Sequence, residues 1–152
     1  MNRNYALLFF LGVTALAAYF GAQFVPGAWY EALAKPEWTP PNWVFGPAWT
    51  VLYIMIAFAG WQVWRYRGLG LALLLWFVQL GLNAAWSYLM FGQHDITAAL
   101  IDIGAMWLTI VAFIVVARKV STTAALLFVP YLLWVTYAGS LNAAIWQMNP
   151  GG

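Results

Sequence analysis

The chain has 152 residues, 65% of them hydrophobic and 7% charged, with a formal net charge of +2 and a mean hydropathy of +0.79, too little polar side chain to cover a water-soluble globule. With no cysteine, one histidine and four acidic residues, it excludes disulfides, thiolate catalysis, cysteine-ligated metals, multi-carboxylate metal sites and histidine-based triads. The few charges are scattered, which argues against a nucleic-acid partner, and the composition is that of an integral membrane protein.

Apolar runs long enough to cross a bilayer, about 20 residues each, occur at residues 5–25, 43–64, 69–91, 96–117 and 122–148. They predict an all-α bundle of five transmembrane helices forming one domain over 1–152. Arg3 ahead of an apolar run has the outline of a signal peptide, but the run is too long for a signal core and reads as the first span. The last four spans are joined by very short connectors, which make them antiparallel neighbours. Only the first loop, residues 26–42, is long. Its WYEAL stretch (29–33) predicts a helical turn, and Pro36, Pro40 and Pro41 make the rest stiff and extended. A long loop in an otherwise minimal bundle predicts a lid.

Charge orients the bundle. Arg3, Arg65, Arg67, Arg118 and Lys119 fall on one side without an acid among them, whereas Lys35 shares the other side with Glu31, Glu37 and Asp95. By the positive-inside rule the N-terminus is cytoplasmic and the lid outside.

Aromatic residues make up 19% of the chain, including 11 tryptophans, more than two interface belts need, so many rings face the bundle interior. Helical spacing puts Trp49, Tyr53, Ile56 and Gly60 on one face of span two. It aligns Gln79, Asn83, Trp86 and Met90 in span three. Tyr131, Trp134, Ala138, Leu141 and Ile145 share a face of span five, with Asn142 beside it. Amides in hydrocarbon need partners, so these faces point inward. Each stripe alone reads as core packing; together with the Trp38 and Trp43 loop they predict a pocket with an aromatic upper wall.

Small residues at Ala15, Ala18 and Ala22, at Gly81 and Ala85, and at Ala98 and Ala105 predict close helix packing, with a homodimer as the variant that uses such a face. Asp102 lies inside span four, where an ionisable group is costly; hydrogen-bonded structural pairing is the first expectation and ligand contact the second. His94 reads as a solvated turn residue. Pro47 falls in the first turn of span two, where it is harmless, whereas Pro130 predicts a kink in span five that widens the space beside Trp134.

Three blocks, KPEWTPPNWVFGPAWTVLY (35–53), QLGLNAAWSYLMFG (79–92) and FVPYLLWVTYAGSLNAAIW (128–146), resemble the signatures of the tryptophan-rich sensory proteins, also called translocator proteins or peripheral benzodiazepine receptors. The resemblance covers essentially the whole chain. It implies a dimeric five-helix bacterial membrane protein, in the inner membrane, whose pocket under the first loop binds protoporphyrin, haem and synthetic aromatic ligands. It implies a role in tetrapyrrole handling and in stress or light response, with no required cofactor or metal. The ligand-binding positions it implies are Tyr30, Trp38, Gly46, Trp49, Asn83, Trp86, Trp134, Ala138 and Leu141, with Asp102 as a further polar contact. Light- and oxygen-dependent porphyrin degradation, for which Trp49 and Trp134 would be the photochemical pair, and porphyrin transport are the alternatives. Where animal relatives carry a sterol-recognition tyrosine and basic residue, this chain has Ala143 and Gln147, so sterol binding by that pattern is not expected. Where they carry a tryptophan one turn before the span-four carboxylate, it has Ala98, which implies a roomier pocket.

Overall fold

The computed structural model describes residues 2–151, and every regular element among them is helical. Five stretches are long and apolar enough to cross a membrane: Asn4–Ala22, Asn42–Arg67, Leu71–Gly92, Ile96–Ala117 and Thr122–Met148. The first holds α1 (Arg3–Ala22), which the Asn2 side chain caps by accepting the Asn4 N–H at 2.9 Å. A short helix, α2 (Ala28–Ala32), follows outside the spans. A 3-10 turn over Asn42–Val44 leads into α3 (Phe45–Arg67), with Pro47 in its first turn. That helix stops at Gly68, whose φ of 68° is left-handed and favours glycine.

Span three is α4 (Leu71–Ser87) continued by a π turn over Tyr88–Gly92. The π turn ends at Gly92; two residues on, His94 takes a φ of 56°, and Asp95 then caps α5 (Ile96–Ala117) by accepting the Ala98 N–H at 2.9 Å. Span five is divided at Phe128 into α6 (Thr122–Leu127) and α7 (Val129–Met148). Pro130 explains the division, because it has no N–H to give the carbonyl four residues back and its ring crowds that carbonyl. Phe128 N–H bonds the Ala125 carbonyl instead at 3.2 Å, and the regular ladder resumes with Leu132 N–H on Phe128 O at 2.9 Å.

The helices close a ring in which α1 packs on α3 and α4, α4 on α5, α5 on α6 and α7, and α6 on α3. The α3–α7 seam is much slighter than the α3–α6 seam, so the ring is tight around α6 and looser at the end that carries α2. Inside lie Phe10, Trp76, Phe113, Phe128 and Tyr131, all at 1% exposure or less. Outside, Leu16 (70%), Leu69 (88%) and Ile101 (70%) are bare, the inverse of a water-soluble fold and the arrangement a hydrocarbon solvent permits.

Residues 23–41 cross the open end of the bundle and are fastened by polar contacts from several elements. The Asn149 amide accepts from Ala34 N–H at 3.0 Å and donates to the Ala34 carbonyl at 2.8 Å. The Lys35 ammonium donates to the carbonyls of Tyr30, Leu33 and Glu31 at 2.7, 3.0 and 3.2 Å, closing the C-terminus of α2. Asn42 Nδ2 donates to Glu31 Oε1 at 2.6 Å, and the Tyr137 hydroxyl to the Trp38 carbonyl at 2.6 Å. Trp29 stacks on His94, ring centroids 4.3 Å apart and planes within 5°. His94 is exposed as expected of a turn residue, but its ring also holds α2 against the turn between α4 and α5.

One close approach sets the packing of α1, α3 and α4. A Cβ added to Gly60 would lie 2.5 Å from Trp76 Cε2 and 2.8 Å from Phe10 Cδ1, so the Trp76 indole lies on the bare backbone of α3. Gly60→Ala is therefore predicted to destabilise the bundle by about 1–3 kcal/mol, the cost of overpacking a full core. A thermal midpoint in detergent equal to that of the unsubstituted protein would refute this.

Candidate functional site

The aromatic stripe of α3 supplies one wall of the site. Trp49 stacks on Tyr53 (centroids 5.6 Å, planes 29° apart) and meets Tyr131 and Trp134 edge to face at 6.3 and 6.2 Å, geometries that ring quadrupoles favour. On its other side lies a cavity of about 400 Å³ between the last turns of α1, the first turns of α3 and the end of α4. Its wall carries Phe45, Gly46, Trp49 and Tyr53 from α3, Trp86 and Ser87 from α4, Phe91 from the π turn, and Ala18, Gly21 and Ala22 from α1. The rim residues Tyr19, Ala22, Val25 and Thr50 are exposed, so the cavity opens between α1 and α3 onto the lipid-facing surface.

A second space, about 10 Å³, lies deeper under α2, between Tyr30, Met90, Ala138, Leu141, Asn142 and Ile145. Phe45, Trp86 and Phe91 line both spaces and form the partition between them. Trp86 is held by its indole N–H, which donates to Asn142 Oδ1 at 3.0 Å; the Asn142 amide in turn donates to the Ile96 carbonyl at 3.3 Å. The Phe45 ring stands edge to face against Trp134 at 6.0 Å.

Two donors near this partition are buried without a partner: Tyr30 OH and Trp134 Nε1. A buried donor left unbonded costs about 1–3 kcal/mol, and each of the two keeps a proton able to bond a polar group that comes within reach. Burial first, then Glu31 and Tyr137, pushes the Tyr30 hydroxyl up to about 12, so it keeps its proton and remains a donor at neutral pH.

Behind Tyr53 runs a buried hydrogen-bond chain. Tyr53 OH bonds Asn83 Oδ1 at 2.8 Å, Asn83 Nδ2 bonds Tyr131 OH at 2.8 Å, and Tyr131 OH bonds Gln79 Oε1 at 2.8 Å. Gln79 Nε2 then donates to the Trp76 carbonyl at 2.7 Å, and Trp76 Nε1 to the Ile56 carbonyl at 2.8 Å. The inward face read for α4 is thus an amide ladder satisfied from α3 and α7.

The structure distributes the anticipated site residues over three settings. Gly46, Trp49 and Trp86 line the larger cavity, while Tyr30, Trp86, Ala138 and Leu141 line the small space. Trp38, Asn83, Trp134 and Asp102 line neither. Trp38 is exposed in the loop with its ring 5.8 Å from Tyr137, and Asn83 is a strut in the ladder. Asp102 is buried, and its Oδ2 has no hydrogen-bond partner, in place of the structural pairing that was the first expectation for it. The space beside Trp134, where the Pro130 kink was expected to widen a pocket, is filled by Phe45, Trp49 and Tyr137. The open volume lies instead against α1, which has no aromatic stripe to announce it; Ala18 and Ala22, read as a packing face, are cavity wall.

Known proteins are similar to this chain over nearly its whole length. The chain matches the TspO/MBR family over residues 6–147. It is 38% identical to protein CrtK of Rhodobacter capsulatus, across 93% of this chain and 96% of that protein. It is 39% identical to a tryptophan-rich sensory protein of Cereibacter sphaeroides (98% and 95% covered) and 37% identical to the human translocator protein (90% and 86% covered). A match of this extent, over five apolar spans and a tryptophan-walled cavity, makes the chain an integral membrane protein that belongs to the TspO/MBR family.

Proposed function

We propose that this protein is a membrane receptor that takes a flat tetrapyrrole, protoporphyrin or haem, into the cavity between α1 and α3 and serves as a sensor in tetrapyrrole handling. The observation that carries the reading is an apolar cavity walled by Trp49, Tyr53, Phe45 and Trp86, with two unpartnered donors, Tyr30 OH and Trp134 Nε1, just beyond its partition. Its volume of about 400 Å³ lies within the roughly 300–1,000 Å³ usual for small-molecule sites, and its opening toward lipid suits a pigment that dissolves in the bilayer. A ligand that displaces the Phe45 ring joins the two spaces, and its carboxylates then reach both donors while its rings stack on Trp49 and Trp86. The cavity wall holds no histidine or methionine, so binding rests on stacking and the free porphyrin suffices as ligand. The relatives' names, sensory protein and translocator protein, agree with a receptor role. In this reading residues 23–41 are the lid.

The closeness of Trp49 and Trp134, 6.2 Å between ring centroids, favours one second reading. A porphyrin excited by light beside these indoles passes its energy to dioxygen, and the oxidised pigment or tryptophan stays confined; the chemistry is the pigment's and the protein positions it.

Three outcomes test these proposals. Protoporphyrin titrated into the protein in detergent is expected to saturate near one per chain, and Trp49→Ala to weaken it by at least ~1 kcal/mol. Gly46→Leu, whose Cβ meets nothing within 4 Å, should fold normally and block the cavity; unsaturable uptake equal in all three proteins would refute the site. For the light reaction, pigment loss under illumination should slow in a Trp49→Phe, Trp134→Phe double variant, and an unchanged rate removes the second reading. For orientation, a cysteine placed at Lys35 should react with impermeant reagent from outside the cell and one at Arg118 only after permeabilisation; the opposite pattern overturns the cytoplasmic N-terminus.

A further inference from the structure

Tyr53 reaches the cavity through its hydroxyl, and its bonding partners decide what that hydroxyl offers a ligand. The deduction starts four links away, at a group with no choice. The Trp76 backbone carbonyl can only accept, so the Gln79 side-chain atom 2.7 Å from it is the nitrogen, and Gln79 presents its oxygen to Tyr131. Tyr131 has one hydroxyl proton, which Gln79 Oε1 takes at 2.8 Å. The Tyr131 oxygen must then accept from the Asn83 amide nitrogen at 2.8 Å, which turns the Asn83 oxygen toward Tyr53. Tyr53 therefore spends its only proton on Asn83 Oδ1 at 2.8 Å. Gln79, Asn83 and Tyr131 are at 0–3% exposure, so water does not scramble the order.

What Tyr53 has left for the cavity is a lone pair. Its oxygen faces Gly21, where an added Cβ would stand 3.8 Å from Tyr53 OH and 3.6 Å from Ser87 Oγ. Ser87 is the second hydroxyl at this end; among the described residues it bonds no other group, so unlike Tyr53 it can still donate as well as accept. Glycine at position 21 leaves the space in front of both oxygens open. We infer that the inner end of the cavity is a hydrogen-bond acceptor selecting a flat apolar ligand with an N–H or O–H donor on its edge. Tyr53 is the specificity-determining residue, and Gln79 and Tyr131 are positioning residues that never touch the ligand. The Tyr53 oxygen repels a carboxylate, which only accepts. On the porphyrin reading this fixes orientation: the propionates turn away from Tyr53, toward Tyr30 and Trp134.

The test uses three tricyclic probes of one shape, carbazole (N–H donor), fluorene (neither) and dibenzofuran (acceptor), titrated by fluorescence in detergent into the full chain carrying Ser87→Ala, which removes the neighbouring hydroxyl that could donate or accept. Carbazole is expected to bind about fivefold more tightly than fluorene, the scale of one neutral hydrogen bond, with dibenzofuran weakest. Tyr53→Phe should remove the carbazole advantage. Gln79→Met, which lies outside the cavity, should release Tyr131 to donate to a turned Asn83, hand Tyr53 its proton back and move dibenzofuran ahead of fluorene. Asn83→Leu, also outside the cavity, removes the acceptor of the Tyr53 proton and serves as the relay variant if Gln79→Met does not fold. Equal affinities for the three probes, or a carbazole advantage that survives either Tyr53→Phe or the relay variant, would overturn the inference. No probe is a porphyrin, so a protein that sorts the probes but does not saturate with protoporphyrin keeps the acceptor and loses the porphyrin reading.

Discussion

The contact on which the rest depends is the Trp76 indole lying on the backbone of α3 at Gly60. It is the largest of the fully buried side chains, and it can sit there only because position 60 has no Cβ. From that seat its N–H satisfies the Ile56 carbonyl and its own carbonyl receives Gln79. In hydrocarbon a polar group has no water to fall back on, so this one residue settles both how closely α3, α4 and α1 approach and which way every later amide in the ladder faces. Packing and polarity are thereby coupled: a shift of Trp76 would loosen the core and unsettle the order of protons up to the cavity.

Much of this architecture was legible in the chain. Twenty-residue apolar runs with short connectors leave little choice but antiparallel spans, and Pro130 announced the division of span five because its missing N–H acts locally. The inward amides of α4 could be read from periodicity, since Gln79 and Asn83 share a face. What could not be read was who answers them, because Tyr131 and Tyr53 come from spans 52 and 30 residues away. The α1 wall of the cavity was not read for a related reason. Alanine and glycine at helical spacing look the same whether a neighbour fills the room they leave, as Trp76 does at Gly60, or they stand in a cavity wall, as Gly21 does. The π turn at Tyr88–Gly92 has no compositional mark at all.

The two ends of the site have opposite hydrogen-bonding character, and each follows from a different kind of bookkeeping. At the inner end the Tyr53 proton is already assigned, so that oxygen has only acceptor capacity left over, while the Ser87 hydroxyl beside it can turn either way. At the outer end Tyr30 OH and Trp134 Nε1 have protons and no recipient. A ligand that suits both must itself be polar in sequence, donor at one edge and acceptor at the other, which is a narrower description than flat and aromatic. The partition of Phe45, Trp86 and Phe91 between the ends is apolar and contributes contact area without direction.

The Asn149 fastening also has a consequence for how the protein is made. Ala34 and Asn149 are 115 residues apart in the chain, and at about 5–20 residues per second the ribosome needs roughly ten seconds to get from one to the other. For that interval the first loop has been synthesised but its clasp has not. The two sides of the clasp are thus made far apart in time, and the clasp closes only after all five spans have been synthesised.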